Sequence, residues 1–296
     1  MITLDYNQLL IAACTVFPED FKKGGDTDKM FSIARHTILG SILSYKRTYG
    51  AKYGNVVIAC DGRYTWRKKA YQYYKAHRAK NREVSETDWE TIFKIADAVR
   101  QELIENFPYK VIWVPEAEAD DIIAVLAKWT QENELDADGL EETPQKFLNV
   151  SADHDFRQLY KYKNYAQWSP IQKKAVTRPE KTFLVEKIIR GDKGDGIPSV
   201  LCPDDFFVND HEGRAPSVTV KVIDKFMNKP ETLTDIEKTR FDRNRMLIDF
   251  ECIPAEVESK IIEQYTSFEI KGSKSKIFDY CMKHRLKRLM ENIQEF

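Results

Sequence analysis

The stretch FLNVSADHDF, residues 147–156, carries the pattern on which the fold turns. Its first four positions form a short, mostly apolar run suited to a buried strand. It then ends in two aspartates two residues apart, Asp153 and Asp155. Like charges set this close raise one another's pKa unless something neutralises them. The same pattern recurs elsewhere. ITL (2–4) runs into Asp5, NVVIAC (55–60) runs into Asp61, and KFLNVSA (146–152) runs into Asp153. After a further apolar run, KVIWV (110–114), the segment PEAEADDIIAVLA places Glu118, Asp120 and Asp121 in the first turn of a helix whose Ile122, Val125 and Leu126 keep the apolar period. Carboxylates in a first turn also suit the helix dipole, and a single aspartate after a strand is ordinarily a turn residue. Three of them at one edge, beside an acidic helix start, point to a shared site.

Between the strands lie helical periods. DTDKMFSIARHTILGSILSYKRTYG (26–50) opens on Asp/Thr caps and closes on Gly50, while SETDWETIFKIADAVRQELIENF (85–107) opens with Ser85 three residues before Asp88, a capping-box pattern. Alternating strands and helices predict an α/β domain with a mostly parallel central sheet, and such sheets place their ligand crevice at the carboxyl ends of the strands. Near residue 180 the alternation gives way to helical pieces and turns. We therefore expect an α/β domain over 1–181 and a helical region over 182–296, with the acidic segment at 131–143 as a solvated loop.

The 46 basic and 47 acidic residues nearly cancel, so net charge alone does not point to a nucleic-acid binder. The five cysteines show no metal-ligand spacing and predict reduced thiols. LLIAAC near the N-terminus imitates a lipoprotein signal, but the residues before it contain no Lys or Arg and are interrupted by Asp5. No run approaches the roughly 20 apolar residues of a membrane span, so a soluble intracellular protein is expected.

Oxygen-only ligands select hard divalent ions, Mg²⁺ or Mn²⁺. In Asp-x-Asp on an extended chain both side chains leave on one face, roughly 7 Å apart. One such pair therefore serves two ions lying about 3.5–4 Å apart. The charge distribution supplies a substrate. Residues 63–82, RYTWRKKAYQYYKAHRAKNR, carry eight Lys or Arg, no acid, and the aromatics Tyr64, Trp66, Tyr71, Tyr73 and Tyr74. Such a segment grips phosphates and stacks bases, or forms an amphipathic helix with a solvated face. In GDKGDGIPSV (191–200), Gly191, Gly194 and Gly196 allow a turn whose N–H groups can face an anion, and Asp192 and Asp195 share it.

The ordered set Asp5, Asp61, EAEADD, SADHDF and GDKGDGIPSV, with a basic segment between its second and third members, resembles the flap-endonuclease (5′-nuclease) family. YYKAHR, DFRQLYK, QWSP, LIDFECIP and the final NIQEF resemble its phage ribonuclease H members. The resemblance spans nearly the whole chain. It implies a PIN-like nuclease domain, a helical arch at about 62–84, and a helix-hairpin-type turn that holds duplex DNA. By position it makes Asp5, Asp61, Asp120 and Asp153 the ligands of one Mg²⁺, and Asp155, Asp192 and Asp195 those of a second. Glu118 would hold metal-bound water, Mn²⁺ would substitute, and Asp121 would be a helix-start residue. Lys75 and Arg78 would steady the scissile phosphate, while Arg63, Arg67, Lys68, Lys69, Tyr74, Lys80, Arg82, Lys193, Gly194 and Gly196 would join them in contacting nucleic acid.

The implied function is a two-metal 5′ to 3′ exonuclease and 5′-flap endonuclease. It would remove RNA primers and adjacent DNA from lagging-strand fragments during phage replication, as a monomer in the cytoplasm of the infected host. The implied partners are branched or nicked DNA, RNA–DNA duplex, and a phage single-strand-binding protein or sliding clamp. Two departures stand out. Gly196 and Ser199 replace the Asn and Gly that flank the family's Ile-Pro pair, and the second arm, EGRAPSVTVKVIDKF, follows an intervening LCPDDFFVNDH. Both remove support for a monovalent-ion site and for a grip on downstream duplex. Only four residues precede Asp5 in this sequence, so no docking peptide is expected there.

Three other classes compete. A haloacid-dehalogenase phosphatase wants Thr or Val where Arg157 stands, and a DxD glycosyltransferase leaves Asp5, Asp61 and the basic segment unused. The third is a structure-specific DNA-binding protein with an inactive metal site. The basic stretch KHRLKRL (283–289) is open to two readings, a DNA- or protein-facing surface and a solvated helix face.

Overall fold

The computed structural model describes residues 1–132, 145–209 and 214–296, so the expected acidic loop lies, apart from its first two residues, outside the described residues. The first half runs β1 (Ile2–Asp5), α1 (Tyr6–Val16), α2 (Thr27–Tyr53), β2 (Val56–Cys60), α3 (Trp66–Ala70), α4 (His77–Glu83), α5 (Trp89–Asn106), β3 (Lys110–Trp113), α6 (Ala119–Glu132) and β4 (Phe147–Val150). It continues through β5 (Tyr165–Ser169), β6 (Lys174–Ala175), α7 (Phe183–Arg190), α8 (Val220–Asn228), α9 (Asp235–Ile248), α10 (Ala255–Ser267), α11 (Lys274–Lys283) and α12 (Lys287–Met290).

The strands form one sheet in the order β3-β2-β1-β4-β5-β6, parallel except for the β5–β6 pair. From β1 the chain builds β2 and β3 to one side and β4 and β5 to the other, so β1 and β4 flank a topological switch point. Ile2, Leu4, Val56, Ile58, Val111, Leu148 and Val150 pack against residues of α1, α2 and α5 in one core. The alternate positions Thr3, Val57, Ile112 and Asn149 are equally buried, and α6 packs on β1, β2 and β4. Strands buried on both faces explain why four of them appear in the sequence as near-continuous apolar runs.

Three expectations need adjusting. The long helix does not close on Gly50: α2 runs on to Tyr53, and Gly54, at φ 85°, supplies the left-handed stop with its N–H on Gly50 O at 2.8 Å. Ser85 does not cap the next helix. Its Oγ accepts from Thr87 N, and Asp88 is the cap, taking the N–H of Thr91 at 3.0 Å. The strands β5 and β6 lie in a stretch where no strand was expected.

The chain divides into two compact units. The first contains residues 1–63, 85–177 and 256–296; the second contains 64–84 and 178–255. Residues 256–296 join the first unit through close packing. A Cβ on Gly272 would lie 2.1 Å from the carbonyl carbon of Phe107, whose ring contacts those of Tyr280 and Phe296. The second unit has its own apolar clusters, one built from Tyr71, Tyr74, Ile188, Ile197, Leu247 and Ile248. No helix among the described residues is long and apolar enough to cross a membrane.

Candidate active site and basic arch

Three carboxylates of the first unit arise from adjacent strands of the sheet. Asp5 is the last residue of β1 and stands in register with Ala59 of β2, Asp61 directly follows β2, and Asp153 lies three residues beyond β4. Burial pushes the Asp5 carboxyl up to about 7; the charges of Asp61 and Asp153 add to this, while the N–H groups of Gln8 and Asn7 pull the other way. Three strand ends therefore deliver charges that act on one another, and the oxygen-only donor set suits a hard divalent cation. Among the described residues no three His, Cys, Asp or Glu side chains stand ready to hold an ion. Asp61 is committed to local bonds, accepting from Asn7 Nδ2 at 2.5 Å and from Ala119 N at 2.7 Å, the first residue of α6.

Two neighbours explain how α6 is brought there. Asp121, fully buried, accepts the N–H of Glu118 at 2.9 Å and so acts as a helix-start residue. Glu118 is buried, while Asp120 is half-buried on the first turn. Gly62 was missed by sequence reasoning. Its N–H donates to Ala117 O at 2.7 Å, and a Cβ there would sit 2.3 Å from Val114 O. Only glycine lets the strand end and the acidic turn approach so closely. At the other end of the site, Asp153 Oδ1 accepts the N–H of Asp155 at 2.8 Å, which closes the Asp-x-Asp turn.

In the second unit the basic segment is a bent pair of short helices, α3 and α4, docked on the GDKGDG turn. Lys75 holds the bend at φ 55°, with its N–H on Asp195 O at 2.8 Å and its Nζ 3.6 Å from Asp195 Oδ2. Arg78 donates to Asp195 Oδ1 at 2.8 Å and to Gly194 O, and Tyr74 Oη donates to Asp195 Oδ2 at 2.9 Å. Gly196, at φ 72°, passes so close that a Cβ would lie 3.0 Å from Tyr73 O.

The turn is not an open anion cradle. The N–H groups of Asp195 and Gly194 point at the carboxylate of Asp192. That carboxyl stays below the usual range in spite of its burial, because Lys187 Nζ lies 3.0 Å away and the two N–H groups bond to it.

The arch side chains fall into two sets. Trp66, Tyr71 and Tyr74 are buried, since a bent segment needs a core of its own, and so they do not offer free faces for base stacking. Arg67, 2 % exposed, braces α9 through Nε on Leu247 O at 2.8 Å and is not an open phosphate grip. Lys68, Lys69, Lys80 and Lys193 are exposed and Arg82 half-exposed. Arg63 lies in the first unit, paired with Asp97.

A model of the 5′-3′ exonuclease N-terminal resolvase-like domain matches residues 4–188, and one of the T4 RNase H C-terminal region matches 179–296. The chain is 35% identical to the ribonuclease H of Enterobacteria phage T4 over 305 aligned residues, covering 99% of this chain and 94% of that one. Two crystal structures of a bacteriophage T5 protein share the fold. One was co-crystallised with metal ions (TM-score 0.59, 14% identity, 90% of this chain and 97% of that one). The other is a flap endonuclease in a pseudo-enzyme-product complex with DNA and metal ions (TM-score 0.58, 15% identity, 90% and 98%).

Proposed function

The chain belongs to the 5′-3′ exonuclease family, and we propose that it is the structure-specific 5′ nuclease that clears RNA primers and adjacent DNA from lagging-strand fragments during phage replication. The observation that carries this reading is the delivery of Asp5, Asp61 and Asp153 from the ends of three adjacent parallel strands to one edge of the sheet, where burial and like charges push the Asp5 carboxyl up to about 7. Such a group is poorly placed to serve stability and well placed to receive a cation.

In this reading Asp5, Asp61, Asp120, Asp153 and Asp155 supply ligand oxygens, with Glu118 beside them. The group they suit is a pair of Mg²⁺ ions, replaceable by Mn²⁺, which lowers the pKa of water at neutral pH and offsets charge on the leaving oxygen. The residues of the chain do the rest. Asp121 and Gly62 fix the start of α6 against the end of β2. Lys68, Lys69, Lys80 and Lys193 offer exposed cations to a phosphate backbone, a contact that ignores base sequence and suits recognition of a 5′ end or flap by shape. Lys75 and Arg78, paired with Asp195 at the bend, would offset charge on phosphoryl oxygens by exchanging that carboxylate for a phosphate. The proposed working form is a monomer in the infected host's cytoplasm, alongside a phage single-strand-binding protein or sliding clamp.

The test compares a labelled 5′-flap duplex with a matching 3′-flap duplex, with and without Mg²⁺, for wild type and Asp153→Asn. Mg²⁺-dependent cutting of the 5′ substrate alone, lost by at least a hundredfold or so in the variant, is expected. Binding without cutting would replace the nuclease by a DNA-binding protein with an inactive site.

A further inference from the structure

The turn that delivers Asp153 and Asp155 leaves the sheet in a specific way. The β4–β5 ladder extends one rung beyond β4, with Ser151 N on Trp168 O at 3.0 Å. Past that rung the main chain has no strand partner, and a side chain takes over. Gln167 Nε2 on β5 donates to Ser151 O at 2.9 Å and to Asp153 O at 2.7 Å, one carbonyl on either side of Ala152. Both partners are carbonyl oxygens, which only accept, so the amide nitrogen must be the end that faces them. The same turn is held from within by Ser151 Oγ, which accepts Asp153 N at 3.0 Å.

Gln167 is 1 % exposed, and its Oε1 has no hydrogen-bond partner. A buried amide with an orphaned carbonyl is a penalty that a methionine or leucine at this position would avoid. Its donor end is therefore the reason for its presence. Neighbouring contacts fix the strand that carries it: Gln167 N donates to Tyr160 Oη at 3.3 Å, and its carbonyl accepts Val176 N at 2.9 Å. The clamp thus reaches the Asp-x-Asp turn from the rigid sheet rather than from a loop.

Resting on the nuclease reading above, we propose that Gln167 is a positioning residue, which through the carbonyls of Ser151 and Asp153 sets the direction in which Asp153 and Asp155 present their carboxylates to the metal ions. Groups that orient metal ligands without touching the metal change affinity by about 10–100-fold when removed.

The test measures Mn²⁺ binding to the full chain without DNA, by the free-Mn²⁺ electron paramagnetic resonance signal, together with the Mg²⁺ concentration giving half-maximal flap cutting. Gln167→Met keeps length and volume and removes the donor. Ser151→Ala removes the second hold on the same turn, and Leu148→Ala in β4 is a core-destabilising control. Both turn variants are expected to weaken Mn²⁺ binding about tenfold or more and to raise the Mg²⁺ requirement in parallel, while cutting at saturating Mg²⁺ recovers to within a few-fold. Leu148→Ala should lower thermal stability and leave Mn²⁺ affinity unchanged.

Wild-type Mn²⁺ affinity in Gln167→Met would overturn the proposal and leave the nuclease reading intact. If Gln167→Met fails to fold, Gln167→Leu, which also lacks the donor, decides by the same criterion. Wild type that neither binds Mn²⁺ nor cuts the flap would sink the nuclease reading, and this proposal with it.

Discussion

Asp5 does two things at once. Its Oδ1 caps α1 by accepting Gln8 N at 3.1 Å, and its charge meets those of Asp61 and Asp153. A carboxyl raised from 3.8 to about 7 binds its proton more tightly in the folded than in the unfolded chain, so stability falls as pH rises through that window. Asp5→Asn keeps a good cap and removes the charge. At pH 8 without metal it should melt roughly 2–4 °C higher than wild type, the shift about 1 kcal/mol produces in a domain of this size, and the gain should vanish below about pH 4. Scanning calorimetry across that range is the check; a lower melting point at pH 8 would contradict the shared-charge reading. Gly62 is the converse case, a residue with no chemistry and no freedom to change. Gly62→Ala puts a methyl against Val114 O, and should cost about 1–3 kcal/mol in urea unfolding along with most of the nuclease activity.

At the scale of elements, the arch bend and the GDKGDG turn are tied through Asp195, which takes Tyr74 Oη, Arg78 and Lys75. Tyr74→Phe removes one neutral-to-charged hydrogen bond, worth about 1–2 kcal/mol, and leaves the ring packing. Tryptic cleavage within residues 64–84 should then accelerate roughly fivefold or more through local opening, and Asp195→Asn should accelerate it further. An unchanged cleavage rate in both would mean the bend holds itself.

The elements also mark where sequence is legible. β1 to β4 show as apolar runs because both their faces are buried. β5 did not show, because its inward positions are Tyr165, Gln167 and Ser169 and its pattern carries no apolar alternation. The strand-end aspartates were readable from the strands that carry them; Gln167 was hidden with its strand, and Gly62 because a close approach of two backbones has no signature in one chain segment. The basic content of the arch was plain, whereas the turn at residues 72–76 breaks the period that would have revealed Trp66, Tyr71 and Tyr74 as core.

Across the molecule, amphipathic helices told which of their faces would be buried and not against what, so the return of residues 256–296 to the first unit was not foreseeable. Its polar anchor is Glu102 on α5, gripped by Arg35 through two hydrogen bonds and by Tyr280 Oη at 2.7 Å. Burial opposes the charge on Glu102, yet Arg35 and Tyr280 hold its carboxyl below the usual range. A depressed value contributes stability above the unfolded pKa of about 4.5 and loses it as pH falls through the folded one. Glu102→Gln should therefore cost about 1.5–3 kcal/mol at pH 7, with the deficit closing as the pH drops below about 4. Parallel urea titrations at the two pH values measure this directly.

That return has a consequence for synthesis on the ribosome. β1 is the first strand of the sheet to emerge yet lies in its interior, and its two neighbours, β2 and β4, begin only at residues 56 and 147. The Phe107 surface that Gly272, Tyr280 and Phe296 cover stays bare until translation has passed them. A nascent chain arrested near residue 255 would carry a formed sheet with an open apolar flank, the kind of surface that chaperones hold and proteases find. The first unit is thus completed only after the second has been made, although β1 precedes every other strand of the sheet.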